Sequence, residues 1–255
     1  MKRMTFIGLV ILLLAGAIGL SAVLIRRNLE TGRELATLRL DPTRAAYFGE
    51  ANRRLLPPSE GEGRIVYFGD SRIQSWAVLP AVPGARSVNR GYGGETTGQL
   101  LLRLDRDVIA LAPRVAVLEM GINDLKTIGL FRDSAASITA TCVRNSDRII
   151  GQLRERGIHV IVLTVFPVGR VPLVRRPIWS DRTLEALNDV NRHLRALQGP
   201  DVTVVDCDSL FAQDGRMKPR YELDTLHLNE AGYAALSDLL RPTLVRIVAR
   251  LGGRG

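Results

Sequence analysis

The sequence predicts an α/β domain with a three-layer α/β/α arrangement around a five-stranded parallel sheet, preceded by a single apolar segment of membrane length. Three observations carry this. Five short strand candidates recur along the chain, four of them rich in β-branched and aliphatic residues. Amphipathic helical patterns alternate with these runs, and that alternation means parallel strands joined by crossover helices. Ahead of them, residues 4–25 carry no charge and are rich in Leu, Ile, Val, Gly and Ala.

Taken in order, that apolar run would be about 33 Å long as a helix, close to the thickness of a bilayer's hydrocarbon core. Lys2 and Arg3 precede it, and Arg26 and Arg27 follow. Ala15-Gly16-Ala17 resembles a signal-peptide cleavage site, but the apolar run continues past it and stops at an arginine pair, as an anchor does. Residues 1–27 are therefore read as a membrane anchor, with a cleaved signal as the alternative, and residues 28–63 as a connector. A short N-terminal tail places the remaining chain outside the cytoplasm, periplasmic or extracellular. Within the connector, Asp41-Pro42 predicts a helix from Pro42 to Leu55, and Ser59-Glu60-Gly61-Glu62-Gly63 reads as a flexible joint.

The catalytic-size domain spans residues 64–251. Strands are predicted at Ile65–Phe68, Arg86–Asn89, Val115–Met120, His159–Phe166 and Val202–Cys207. Thr96 and Gln99 form a capping-box pair ahead of a helix over Leu100–Leu111. A second helix covers Ala135–Arg156 and ends at Gly157. A third follows Asp181 and buries Leu184, Leu187, Val190, Leu194 and Leu197. The last starts at Asn229 and is expected to bend or split at Pro242.

Composition narrows the function. The net charge is +9, but Lys2, Lys126 and Lys218 are the only lysines. No dense basic run is interleaved with aromatics, so nucleic-acid binding is not expected. Three scattered histidines and two distant cysteines suggest no metal site, and the Arg90–Thr96 turn lacks the spacing of a dinucleotide fingerprint. No cofactor is called for.

Chemistry collects where strands end. Gly69-Asp70-Ser71 follows the first strand, at the end of an open sheet where ligands bind; the alternative is that Asp70 and Ser71 only cap a helix. Gly91-Tyr92-Gly93-Gly94-Glu95-Thr96 follows the second, offering backbone N–H groups. Gly121-Ile122-Asn123-Asp124 follows the third, offering an amide donor. Asp224-Thr225-Leu226-His227 precedes the last helix. His159 opens a strand at the far end of the sheet and His193 lies within a helix, so only His227 has a carboxylate placed to orient it. A serine, a histidine, an orienting aspartate and nearby donors suit acyl transfer.

In this order, GDSR at 69–72, GYGGET at 91–96, GIND at 121–124 and DTLH at 224–227 resemble the four blocks of the SGNH (GDSL-type) hydrolases. The resemblance implies their flavodoxin-like fold and a serine esterase. It implies Ser71 as nucleophile, His227 as base and Asp224 as its orienter. The oxyanion hole would be the Ser71 N–H, the Gly94 N–H and the Asn123 side chain. Arg72 stands where the family often has an apolar residue and Glu95 where aspartate is common, which leaves the mouth of the site undecided at Arg72. No G-x-S-x-G elbow occurs.

The expected substrate is a small-molecule, lipid or glycan ester, with membrane contact through the N-terminal helix. An O-acyltransferase would use the same residues, and an inactive glycan- or lipid-binding module is the alternative from another class. Residues 168–181 form a long loop beyond the fourth strand. They read either as plain surface or as a substrate rim in which Trp179 covers apolar parts while Arg175 and Arg176 meet an anion. Cys142 and Cys207 are expected as separate buried thiols, with one disulfide as the alternative.

Overall fold

The computed structural model describes residues 2–43, 45–59 and 61–253. The chain divides into two units, meeting between Tyr47 and Phe48.

The first unit is mostly helix α1 (Lys2–Leu40), of 39 residues. Helical structure continues through residues 28–40, the first part of the segment read as a connector. Those residues are nearly all competent helix formers, and Arg26 pairs with Glu30 one turn on, at 2.9 Å. The large apolar side chains from Phe6 to Ile25 are exposed, and the helix is long and apolar enough to cross a membrane. Asp41 accepts from the Ala45 N–H at 2.8 Å, so α2 (Ala45–Arg53) starts after the expected Pro42 and stops short of Leu55. Of the joint expected at 59–63, Glu60 lies outside the described residues.

The second unit holds a parallel sheet of β1 (Gly63–Gly69), β2 (Ala85–Gly91), β3 (Val115–Glu119), β4 (His159–Leu163) and β5 (Val202–Val205). Their spatial order is β2-β1-β3-β4-β5. β1, β3 and β4 are buried along their whole length because both faces are covered, whereas the edge strand β2 is only partly buried. In β1, Val66 and Phe68 join the core on one face, while Ile65 and Tyr67 join the core on the other. On the first face lie α4 (Thr97–Asp107), α6 (Ala135–Glu155) and α7 (Asp181–Ala196), through Leu104, Ile149 and Val190 among others. The second core takes in the short helices α3 (Ser71–Gln74) and α8 (Cys207–Phe211), and α9 (Glu230–Gly252). Between α3 and α4 the chain forms β2; α5 (Ile122–Leu125) follows β3, and the hairpin of β6 (Ala212–Gln213) and β7 (Arg216–Met217) follows α8.

Two elements end earlier than the apolar runs suggest. β4 stops at Leu163 because Asn191 takes both the N–H and the carbonyl of Val165, at 2.7 and 2.9 Å. β5 stops at Val205 because the Asp206 carboxylate accepts from the Ser209 N–H and opens α8. The Thr96–Gln99 capping box is present, with α4 itself running Thr97–Asp107 and a 3₁₀ turn at Ile109–Leu111. Of the bend or split expected at Pro242, the split is absent: α9 runs as one helix through the proline. Leu236, Leu240, Leu244 and Val248 form one buried stripe on both sides of the proline, and that burial outweighs one missing N–H donor. Cys142 and Cys207 are free thiols in opposite cores, separated by the sheet.

Candidate active site

β1 is central, pairing with β2 on one side and β3 on the other. Its carboxyl end is therefore the point where strand order reverses, which leaves a crevice above it. Gly69 ends the strand, and a Cβ there would stand 2.0 Å from the Glu119 carbonyl oxygen, so only glycine lets β1 and β3 close at this point. Asp70 then accepts from the Arg72 N–H at 2.9 Å, capping α3 and setting Ser71 at its first position. The capping role and exposure of Ser71 coexist, because Asp70 does the capping.

His227 Nε2 lies 2.8 Å from Ser71 Oγ, and its Nδ1 lies 2.9 Å from both Asp224 carboxylate oxygens. A carboxylate only accepts, so Nδ1 carries the proton and Nε2 is left to accept from the serine hydroxyl. Asp224 is itself held by the Leu226 and His227 backbone N–H groups, at 2.8 and 3.0 Å. Burial alone would raise its pKa, but those N–H groups and the imidazole outweigh burial and hold the carboxyl below its ordinary value. Such a line can pass a hydroxyl proton to the ring as the oxygen attacks.

The expected donors flank this line. Gly91 closes directly on α3: a Cβ there would meet Gln74 N at 2.2 Å. One at Gly93 would lie 3.7 Å from Ser71 Cβ, so the glycine turn sits against the serine. Gly94 has φ +80 and open space around it. Asn123 is buried, and its Nδ2 donates to Asp70 Oδ2 at 3.1 Å and to the Glu95 carbonyl at 2.9 Å. Asp124 fixes that turn by accepting from the Thr97 N–H and hydroxyl, at 2.8 and 2.7 Å.

Two arginines do work that their sequence positions did not reveal. Arg72 points inward, not toward the mouth. Its guanidinium pairs with Glu119 at 3.2 Å, donates from Nε to the Leu226 carbonyl at 2.9 Å, and stacks over Phe166 at 5.0 Å. It thus ties the serine turn to the residue preceding His227. Burial pushes Asp70 up, and burial plus the Asp70 charge pushes Glu119 well up. Glu119 Oε2 is buried with no donor facing it among the described residues. A proton on Glu119 would let it donate to Asp70, leaving one carboxylate against one guanidinium. Arg103, on α4, pairs with Glu95 at 2.6 Å and donates to the carbonyls of Gly69 and Arg90 at 3.2 and 2.9 Å. It clamps the ends of β1 and β2 to the glycine turn. The signal was present: Arg103 and Asp107 stand at core-face spacing with Leu100 and Leu104 on an amphipathic helix.

The expected rim divides. Arg176 and Trp179 line a cavity of about 760 Å³, and Arg175 does not. Ser71, Asp224 and His227 are not among its lining residues.

Residues 59–235 match the GDSL-like lipase/acylhydrolase family. Among curated proteins none matches this chain. Among solved structures, a Bacteroides fragilis protein assigned as an acylhydrolase superposes with TM-score 0.67 at 22% identity, covering 81% of this chain and 98% of its own. A GDSL-like lipase from Bacteroides thetaiotaomicron gives 0.65 at 22% identity, over 80% and 98%. The acetyl xylan esterase AlAXEase gives 0.55 at 18%, over 69% and 97%. At these identities the structural likeness shows a shared fold.

Proposed function

This chain belongs to the GDSL-like lipase/acylhydrolase family, and on that premise we propose that it is a serine esterase whose nucleophile is Ser71. The hydrogen-bonded line Asp224–His227–Ser71 is the observation that carries the reading. His227 Nε2 takes the hydroxyl proton as Ser71 Oγ bonds to the ester carbonyl carbon, and the carbonyl electron pair moves onto oxygen. The tetrahedral intermediate then collapses, the bond to the alcohol oxygen breaks, and the imidazolium protonates the departing alcohol. Water repeats both steps on the acyl-serine, releasing the acid and restoring Ser71. The substrate is an acyl ester of a small molecule, lipid or glycan.

The oxyanion takes hydrogen bonds from the Ser71 N–H, the Gly94 N–H and Asn123 Nδ2. Both Nδ2 protons are engaged in the resting arrangement. The bond to the Glu95 carbonyl is the one exchanged for the oxyanion, while the bond to Asp70 keeps the amide aimed.

Residues 1–27 serve as the membrane anchor, residues 28–63 as the connector and residues 64–251 as the catalytic domain, held outside the cytoplasm. The exposed apolar side chains of α1 support the anchor.

A fluorophosphonate probe tests the assignment. It should label the wild-type protein on the peptide containing Ser71 and leave Ser71→Ala unlabelled. Labelling of that variant to the wild-type level would remove the assignment.

A further inference from the structure

The cavity beside the loop of Asp224 and His227 carries more charge than the proposed reaction uses. Three arginines from three separate segments line it: Arg170 after β4, Arg176 in the 3₁₀ turn Leu173–Ile178, and Arg216 on the β6–β7 hairpin. Asp181 is the single carboxylate in its lining among the described residues. Among the described residues none of the three guanidiniums has a hydrogen-bond or ion-pair partner. Elsewhere Arg72, Arg103 and Arg195 are each paired with a carboxylate. The lining is otherwise apolar at Trp179 and Leu184, and the Trp179 indole N–H is buried with no acceptor among the described residues. The cavity thus gathers three guanidiniums and an indole N–H around one carboxylate.

Its wall is joined to the proposed catalytic loop. Thr225, between Asp224 and His227, accepts from the Gly169 N–H at 2.8 Å, and its hydroxyl donates to the Arg170 carbonyl at 3.1 Å. In the proposed reaction His227 protonates the departing alcohol, and its loop is the one hydrogen-bonded to this wall.

We propose that this cavity is a subsite for an anionic group, a carboxylate or a phosphate, on the alcohol part of the ester substrate, held by Arg170, Arg176 and Arg216. The inference rests on the esterase reading above. Guanidinium forks match both anions in geometry, and the apolar lining suits the ring or chain that carries the charge.

The test compares hydrolysis of phenyl acetate, 4-acetoxybenzoate and 4-acetoxyphenyl phosphate by the detergent-solubilised full chain. The variant Arg176→Ala with Arg216→Ala should lower the preference for the anionic over the neutral ester, as a ratio of kcat/KM, by about 5–20-fold. Arg192→Ala, which removes an exposed arginine on α7, should leave that ratio as it is. A larger fall for the phosphate ester identifies phosphate as the anion, and a larger fall for the carboxylate ester identifies carboxylate. An unchanged ratio in the double variant overturns the subsite. Calorimetric titration of Ser71→Ala with phenyl phosphate and with benzoate reads the site without turnover. Binding that is lost when Arg176 and Arg216 are also replaced upholds the subsite even if the esterase reading fails, and binding that survives their loss overturns it.

Discussion

Replacing Arg72 with methionine should destabilise the domain, and do so more at high pH than at low. The guanidinium is buried with Glu119, both side chains at 0% exposure, so solvent does not screen the pair. Removing one partner of a buried ion pair costs about 3–5 kcal/mol when the other charge is left behind. Losing the Nε bond also strands the Leu226 carbonyl, at about 1–3 kcal/mol if it stays buried. Glu119 can escape part of this by keeping its proton. Its pKa is already raised, by burial first and by the Asp70 charge next. A carboxyl whose folded pKa lies above its unfolded value binds a proton that the unfolded chain has released, so stability falls as pH rises between the two. Without Arg72 that window widens upward. Arg72→Met should therefore cost several kcal/mol where Glu119 has to carry its charge, and less at lower pH, where Glu119 keeps its proton. Glu119→Gln, which mimics the protonated acid, should cost less than about 1.5 kcal/mol and flatten the pH dependence. Chemical denaturation of detergent-solubilised protein, followed by the fluorescence of buried Trp76, measures both. Equal losses for the two variants, or a loss that shrinks as pH rises, would refute the shared-proton account.

Other outcomes follow from the same geometry. Asn123→Ala should lower kcat by roughly 10²–10³-fold, the usual loss for one oxyanion donor, in steady-state hydrolysis of a simple acetyl ester. Thiol titration under denaturing, non-reducing conditions should find two reactive cysteines, as expected of thiols in opposite cores. The protein should sediment with membranes, resist high salt and be released by detergent; a soluble mature form starting at Ile18 would show a cleaved signal instead.

What the sequence made legible was whatever depends on short spacing. Four apolar runs and one more polar strand, with helical patterns between them, define the sheet, and β1 needed no distant information to be read as buried on both faces. Ser71, Asn123 and His227 fall just beyond strand ends or just ahead of a helix, and Asp224 is close enough to His227 in the chain for a turn to join them. What escaped depends on partners far along the chain. Arg72 looked like a residue of the mouth; its inward path is set by Glu119, 47 residues on, and by the Leu226 carbonyl, 154 residues on. The early end of β4 is set by Asn191 on α7. Pro242 looked able to split the helix because local rules weigh the missing donor and not the buried stripe on either side of it. In the loop after β4, composition suggested an anion contact but could not say that Arg176 turns into the cavity while Arg175 does not.

The turnover of Ser71→Ala tests the central claim most directly. Its kcat on 4-nitrophenyl acetate, compared with wild type after circular dichroism shows the same folded content, should be lower by on the order of 10³-fold or more, because the three residues act as a unit. Turnover within a few-fold of wild type would contradict the account.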